Sequence, residues 1–297
     1  MSEVLVAENY DEMRARFEWN PPEYFNFAED VIDHWAEKLP NHLAMKWMDD
    51  FGGSRDVTFG EISNQSKKLA SALSDLGIKS GEVIILVLGR EVEWWEILTA
   101  SLRLGAICSP GTTQLSAKDM SYRVNAAKAT CIICDEENAK KFNQVDSKCE
   151  TLRAKIVVNG NLDGWDSYNN IVSAASDDFS SIKTRYDDEA LCYFTSGTTG
   201  YPKMTIHNHG YGFAHKITGR YWLDLKPDDL HWNISDTGWA KAAYSSYFGP
   251  WNQGATLFVH HSKIFDPIRT LELLEGNPIT TMCGAPTIYR MLVLQNL

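Results

Sequence analysis

Short apolar runs alternate with amphipathic segments over most of this chain. The first series of strand-like runs comprises residues 83–88, 106–108, 130–134 and 156–158. The helix-like segments between them are residues 91–104, 116–127 and 138–148. Near-continuous apolar strands separated by helices are typical of parallel sheets that are covered on both faces. The pattern therefore predicts an α/β fold with doubly wound, parallel-type sheets.

The same alternation surrounds this central series. Before it, the pattern predicts a helix at 27–39, a strand at 43–47 and a helix at 59–76 that ends at Gly77. After a polar, turn-rich region at 173–188, further apolar runs follow at 191–194, 230–234, 256–260 and 280–283. We therefore predict two layered α/β units, residues 1–185 with an N-terminal extension and residues 186–297.

Composition and charge narrow the class of protein. The chain has 297 residues and a formal net charge of −11, a field that repels nucleic acid and anionic membrane surfaces. No apolar run approaches the ~20 residues of a membrane helix. The first twelve residues carry Glu3, Glu8, Asp11 and Glu12 and show no basic region followed by an apolar one. We therefore expect a cytoplasmic protein with no membrane span and no nucleic-acid partner.

The cysteine and histidine patterns do not predict a metal site. Cys131 and Cys134 have C-x-x-C spacing but lie in an apolar run, where a separation of three places them on opposite faces of a strand. We interpret them as buried packing thiols. We interpret His207, His209, His260 and His261 as surface or packing histidines, and the adjacent Trp94 and Trp95 as core residues. Which residues, if any, bind a metal ion is unknown from the sequence.

The run Thr195-Ser196-Gly197-Thr198-Thr199-Gly200-Tyr201-Pro202-Lys203 directly follows an apolar strand. Glycines allow a tight turn that brings backbone N–H groups close to an anion, hydroxyls add donors, and the lysine supplies a positive charge. The spacing excludes a Walker A loop. A solvated turn is the simpler alternative, but the combination favours a site for phosphate groups.

Three further segments follow predicted strands. Ser235-Asp236-Thr237-Gly238-Trp239 lies where ligands collect in open α/β sheets, although a helix N-cap with a buried Trp239 is an equal alternative. Gly284-Ala285-Pro286-Thr287 and Pro110-Gly111-Thr112-Thr113-Gln114 are, taken alone, ordinary turns. A dinucleotide-binding site fails on residues, because Gly89 is followed by Arg90 and Glu91 and not by a glycine-rich turn.

The loop at 195–203 resembles the signature loop of the acyl-adenylate-forming (AMP-binding) superfamily. The segments at 235–239, 110–114 and 284–290 are similar to those of its medium-chain acyl-CoA synthetase branch. The resemblance implies ATP, Mg²⁺ and CoA as ligands, with a carboxylic acid as substrate. It assigns ATP phosphates to Thr195, Ser196, Gly197, Thr198, Thr199, Gly200 and Lys203, the acyl group to Trp239 and Gly284, and CoA to Gln114.

Family members have a large domain of two layered α/β units plus a barrel, followed by a C-terminal domain. By resemblance, the chain stops inside the second unit, and the catalytic lysine is expected beyond Leu297. The leading hypothesis is an AMP-forming acyl-CoA synthetase for a medium-chain or aromatic acid. The alternatives are a truncated, non-catalytic nucleotide-binding or interaction module and an NTPase that releases orthophosphate.

Overall fold

A computed structural model describes residues 10–195 and 200–295 of the chain. The strands are β1 Leu43–Asp49, β2 Ser54–Thr58, β3 Val83–Val87, β4 Ile107–Gly111, β5 Cys131–Asp135, β6 Ala154–Val158, β7 Asp166–Ser167, β8 Glu189–Thr195, β9 Lys203–Asn208, β10 Leu230–Asn233, β11 Thr256–His261 and β12 Thr281–Cys283. The α-helices are α1 Tyr10–Arg16, α2 His34–Lys38, α3 Phe59–Asp75, α4 Val92–Arg103, α5 Ala117–Ala126, α6 Glu136–Phe142, α7 Tyr168–Ala174, α8 Gly210–Ile217, α9 Ala240–Ala243, α10 Gly249–Gln253, α11 Pro267–Gly276 and α12 Pro286–Val293. Tighter or wider helical turns occupy Ala28–Asp33, Asp146–Lys148, Thr218–Trp222 and Tyr244–Phe248.

The larger sheet has seven strands in the order β7-β6-β5-β3-β4-β8-β9. All neighbouring pairs from β7 to β8 are parallel, and β9 closes the edge antiparallel to β8. Strand β3 is central, and its residues Ile84 to Val87 are fully buried, as expected for a strand covered by helices on both faces. The predicted α/β class and parallel-type sheets are confirmed.

The smaller sheet has five strands in the order β12-β10-β11-β1-β2. It combines two strands from the beginning of the chain with three from its end, since β1 lies parallel to β11. Conversely, β8 and β9, which follow residue 185, belong to the larger sheet. Residue 185 therefore does not divide the strands of one sheet from those of the other. That residues 1–185 and 186–297 form two separate units stays a prediction.

The packing of the core matches the predicted strand faces. Cys131 lies in the apolar cluster on one face of the larger sheet and Cys134 in the cluster on the other. Burial raises the pKa of both thiols, which makes them inert packing groups. Trp94 and Trp95 are at most 1% exposed and lie in the core, as predicted.

Two further features bear on the site. Strand β9 was not predicted, because four of its six residues are exposed and give no buried apolar periodicity. Within 10–195 and 200–295, no helix has both the length and the apolar character needed to cross a membrane.

Candidate active site

The predicted site segments lie at the carboxyl ends of parallel strands. Strands β4 and β8 are parallel neighbours in the larger sheet, so Gln114, which follows β4, and Thr195, the last residue of β8, lie at the same edge. Strands β10 and β12 are parallel neighbours in the smaller sheet, and Trp239 and Gly284 follow them. Ligands of open α/β sheets bind at this edge.

The segment after β10 packs directly against the loop after β4. A Cβ atom on Gly238 would lie 2.1 Å from the backbone nitrogen of Thr112 and 2.4 Å from the carbonyl carbon of Gly111. The Thr112 hydroxyl also donates a hydrogen bond to Asp236 Oδ2 at 3.4 Å. Only a residue without a side chain permits this approach of two backbones. The two sheets are therefore in contact where their predicted acyl and CoA segments lie.

The described part of the predicted phosphate loop connects β8 to antiparallel β9. Thr195 is the last residue of β8 and Lys203 the first of β9, and the Thr195 hydroxyl donates a hydrogen bond to the Lys203 carbonyl at 3.4 Å. Gly200 has a φ of +108°, which side chains rarely adopt. Ser196, Gly197, Thr198 and Thr199 lie outside the described residues.

The end of this loop that precedes β9 is bound to helix α5. Tyr122 donates a hydrogen bond to the Pro202 carbonyl at 2.9 Å, and its ring stacks on Tyr201 with centroids 4.9 Å apart. Thr195, Gly200 and Lys203 are exposed. The described residues of the loop are thus available to a ligand and are not sealed in the core.

The N-cap alternative for Ser235–Trp239 is wrong. Asp236 Oδ1 accepts a hydrogen bond from the Gly238 N–H at 2.8 Å, within the turn itself. Thr237 donates to the Leu88 carbonyl at 2.7 Å, in the other sheet. Trp239 itself is the N-cap residue of α9, and no side chain caps this helix. Trp239 is 67% exposed and not buried. An exposed indole beside the contact between the sheets is free to pack on an apolar substrate group.

Gly284 follows β12 and opens toward α12. Its nearest neighbour would be the Tyr289 ring, 3.4 Å from an added Cβ atom. Tyr289 donates a hydrogen bond to the Met282 carbonyl at 3.1 Å, so its ring lies across the end of β12. The Ile234 N–H donates to the Cys283 carbonyl at 3.0 Å, which ties this exit to the segment that carries Trp239.

A cavity of about 740 Å³ lies between the two sheets at the exits of β3, β5, β10 and β11, beside the loop after β4. Among the described residues, the predicted site residues Thr195, Gly200, Lys203, Trp239 and Gly284 do not line it. Gln114 lines it together with Asp236 and Thr237. Gln114 is exposed, and its backbone N–H donates a hydrogen bond to the Thr112 hydroxyl at 3.3 Å. The volume is within the range of small-molecule sites.

The charges of the cavity are mixed. Its ionisable lining residues, other than histidines, are Arg90, Glu91, Asp135, Glu136, Glu137, Lys141, Asp236, Lys263 and Asp266. Burial, reinforced by Glu93 and Asp135, raises the pKa of Glu91 to about 7, although Asn159 donates a hydrogen bond to it at 3.0 Å. One wall of the cavity therefore changes charge near neutral pH.

The histidine predictions need one correction. His207 lies on β9 and His209 directly before α8, and burial lowers the pKa of both, that of His209 to about 4. Both fit the packing interpretation. His260 and His261 instead line the cavity at the end of β11, and His260 shares a hydrogen bond with Asp50 at 2.8 Å. Their position at the exit of a parallel strand was the available signal.

Arg90 is one of several lining residues to which the sequence interpretation gave no role. Its three side-chain nitrogens face carbonyl oxygens at the exits of β10 and β11, at 3.3 to 3.4 Å. The residues after β3 served in the sequence only to exclude a dinucleotide site. The described residues contain no group of three or more His, Cys, Asp or Glu that could hold a metal ion.

Comparison with known proteins gives relatives over nearly the whole chain. The chain is 44% identical over 293 residues to the human acyl-coenzyme A synthetase ACSM3, mitochondrial, and the match covers 96% of this chain and 50% of that protein. It is 41% identical over 306 residues to the mouse acyl-coenzyme A synthetase ACSM4, mitochondrial, with 100% and 53% covered. The chain thus spans about half the length of the curated relatives it matches.

Solved structures share the fold. The crystal structure of Brucella canis acyl-CoA synthetase matches with a TM-score of 0.87 and 24% identity, over 97% of this chain and 54% of that chain. The anthranilate CoA ligase AuaEII in complex with anthranoyl-AMP matches with a TM-score of 0.81 and 23% identity, over 91% and 51%. At these identities the likeness is one of fold.

The predicted cytoplasmic location is wrong by this comparison. The matching ACSM3, ACSM4 and ACSM5 relatives are all named as mitochondrial. The prediction rested on apolar runs too short to span a membrane and on an acidic beginning without a basic region followed by an apolar one, whereas the relatives match along 93% or more of the chain.

Family membership rests on the match to a family model that covers most of the chain. The sequence model of the AMP-binding enzyme family covers residues 32–297, which include every segment that converges at the strand exits. The chain therefore belongs to the AMP-binding enzyme family.

Proposed function

We propose that this chain is the N-terminal part of an AMP-forming acyl-CoA synthetase. The complete enzyme joins a carboxylic acid to CoA, consumes ATP, and releases AMP and pyrophosphate through an acyl-adenylate. The observation that carries the proposal is the contact of Ser235–Trp239 with the loop that bears Gln114, beside the exit of β8. This contact supports the proposal that the acyl and CoA groups bind next to each other.

In this proposal, different residues bind different parts of the substrates. Thr195, Gly200 and Lys203, with the intervening residues, bind the β- and γ-phosphates, where an ammonium group offsets negative charge. Trp239 and Gly284 contact the acyl group, and Gln114 contacts CoA. Mg²⁺ usually binds through one or two carboxylates plus substrate phosphates, so we propose it as part of the ATP complex. When bound, it would neutralise phosphate charge.

The relatives support a proposal for the acid and for the location. We propose a medium-chain or aromatic acid, since the matching relatives are acyl-coenzyme A synthetases and one similar fold binds anthranoyl-AMP. The exposed indole of Trp239 suits either class of acid. We propose a mitochondrial location, because the matching relatives are named so.

The test is carboxylate-dependent exchange between ATP and pyrophosphate. It uses a version of the protein extended past Leu297 by the corresponding half of the human ACSM3 relative. Lys203→Ala should lower exchange about 100-fold, because the positive charge that stabilises the departing pyrophosphate is lost. The control is Lys46→Ala, which removes a partly exposed lysine of β1 that forms an ion pair with Asp56 of β2.

Other outcomes separate the alternatives. Unchanged exchange in Lys203→Ala would remove the phosphate assignment. ATP binding without any exchange would support the second candidate, a non-catalytic nucleotide-binding or interaction module, for which the exposed Met204 and Ile206 on β9 are the favouring observation. Release of orthophosphate in place of pyrophosphate would indicate an NTPase.

A further inference from the structure

The turn after β3 joins the two sheets through its backbone. The Leu88 carbonyl accepts a hydrogen bond from the Thr237 hydroxyl at 2.7 Å, and Thr237 is 3% exposed. The Arg90 carbonyl accepts one from the Trp47 indole N–H on β1, also at 2.7 Å. The central strand of the larger sheet is thus bonded at its exit to two parts of the smaller sheet.

The Arg90 side chain extends this junction to two more strand exits. Its Nε donates to the Ser235 carbonyl at 3.3 Å, Nη1 to the Ser262 carbonyl at 3.3 Å, and Nη2 to the Ile234 carbonyl at 3.4 Å. A guanidinium carries five N–H donors in a fixed planar fork and no acceptor. One side chain therefore satisfies carbonyl groups from the exits of both β10 and β11.

The neighbourhood of Arg90 favours a rigid, charged clamp. Burial lowers the pKa of Arg90, but the nearby Asp236 carboxylate favours its charged form, so it stays protonated at neutral pH. Gly89, directly before Arg90, lies beside the His261 ring, which would be 3.4 Å from an added Cβ atom. Hydrogen bonds from a charged donor are stronger than neutral ones.

Two of the three carbonyls that Arg90 binds lie at the start of the segment that carries Trp239: Ile234 directly precedes it and Ser235 is its first residue. On the other side, Gly238 packs against Thr112, two residues before Gln114. The segment is thus held between the Arg90 fork and the loop after β4. A lysine could not reproduce this hold, because its donors radiate from one nitrogen and cannot reach three carbonyls in three directions.

We propose that Arg90 is a positioning residue: it fixes the Ser235–Trp239 segment against the loop of Gln114 and so sets the separation of the acyl and CoA contacts. It touches no reacting atom in this assignment. The catalytic consequence rests on the proposed function, whereas the positioning itself is a property of this chain and is tested without activity.

Hydrogen exchange of the 297-residue chain tests the positioning. In Arg90→Lys, amides in 233–240 should exchange about tenfold faster or more, since bonds from a charged donor are lost. Amides in β5 and β6 should stay within about twofold of the parent, because no Arg90 contact reaches them. Arg153→Lys is the matched control: its guanidinium donates to the Gly77 carbonyl at 3.1 Å, away from the cavity.

Each result decides the proposal. Local acceleration in Arg90→Lys but not in Arg153→Lys supports it, and ethylguanidinium should restore slow exchange to Arg90→Ala. Unchanged exchange in 233–240 overturns it. Equal acceleration throughout the chain, or failure of Arg90→Lys to fold, also overturns it, because Arg90 would then be a general structural residue.

The extended protein separates this inference from the proposed function. There, Arg90→Lys should raise KM for the carboxylate about tenfold and leave KM for ATP unchanged, because the segment that moves carries Trp239 and not the phosphate loop. An equal rise in both would contradict positioning. Absence of any parent activity would defeat the proposed function, while the exchange experiment would still decide the role of Arg90.

Discussion

At the scale of single residues, the buried carboxyl of Glu96 makes stability depend on pH. Its side chain is 3% exposed on α4, and Tyr168 donates a hydrogen bond to it at 2.5 Å. Burial is the largest cause that raises its pKa from 4.5 to about 7, against the opposing effect of the Tyr168 hydroxyl. In the folded protein, Glu96 therefore holds its proton to higher pH than in the unfolded chain.

The sign of the effect follows from proton linkage. Below pH 4.5 both states are protonated and Glu96 costs nothing, whereas between pH 4.5 and about 7 the unfolded state loses its proton first. The folded state is progressively disfavoured over this window, and the cost is constant above it. We predict that Glu96→Gln gains stability relative to the parent as pH rises from 5 to 8, by a few kcal/mol at most.

Urea unfolding of parent and variant at pH 5, 6, 7 and 8 measures this difference. The difference matters more than the parent curve, because Glu91 titrates in the same window and buried histidines act in the opposite direction. Glu272→Gln, which changes a surface carboxylate beside Arg269, is the control and should show no such trend. A pH-independent difference for Glu96→Gln would contradict the assignment.

At the scale of elements, β9 is an open sheet edge with exposed apolar side chains. It is the last strand of the larger sheet, and Met204 and Ile206 are 46% and 41% exposed. Unpaired edges of this kind invite pairing with another chain, and edge lysines prevent it. We predict that the chain self-associates with rising concentration and that Met204→Lys with Ile206→Lys weakens association about tenfold or more.

Sedimentation velocity over a concentration series measures this association. Ile268→Lys is the control, because Ile268 is 58% exposed on helix α11 and adds no strand edge. An equal effect of both changes would assign the association to general apolar exposure. A parent chain that stays monomeric throughout would contradict the prediction.

The elements also show what sequence patterns can and cannot predict. Most strands and helices between residues 83 and 158 agree with the predicted ones to within a few residues, because their apolar runs are long and buried. The helix predicted at 138–148 is the exception, since α6 ends at Phe142 and a separate turn follows at Asp146–Lys148. Gln114 and Trp239 follow predicted strands, but their roles come from the resemblance and stay predictions. β9 was missed because it buries no face, and Arg90 because its partners are backbone carbonyls 144 to 172 residues away.

At the scale of the whole molecule, the smaller sheet binds the two ends of the chain together. Five consecutive residue pairs join β1 to β11, from Met45 with Leu257 to Asp49 with His261. Two buried indoles reinforce this: Trp35 donates to the Trp251 carbonyl at 2.8 Å, and Trp251 donates to the Ala44 carbonyl at 3.0 Å. Residues 1–185 and 186–297 each lack strands that the other supplies.

We therefore predict that 1–185 and 186–297, produced separately, do not fold and that they form a native-like complex when mixed. Without β1, strand β11 would expose unpaired backbone groups and the buried face around Trp251, a cost that the 112-residue piece cannot offset. Near-ultraviolet circular dichroism and amide exchange measure folding of each piece and of the mixture. As a control, the intact chain cut at an exposed site in 176–178 should keep both pieces together, because the β1–β11 pairing does not depend on that connection. Native-like protection in either isolated piece would instead show that residue 185 separates two independent folding units, and β1 and β11 would then be a docking contact between them.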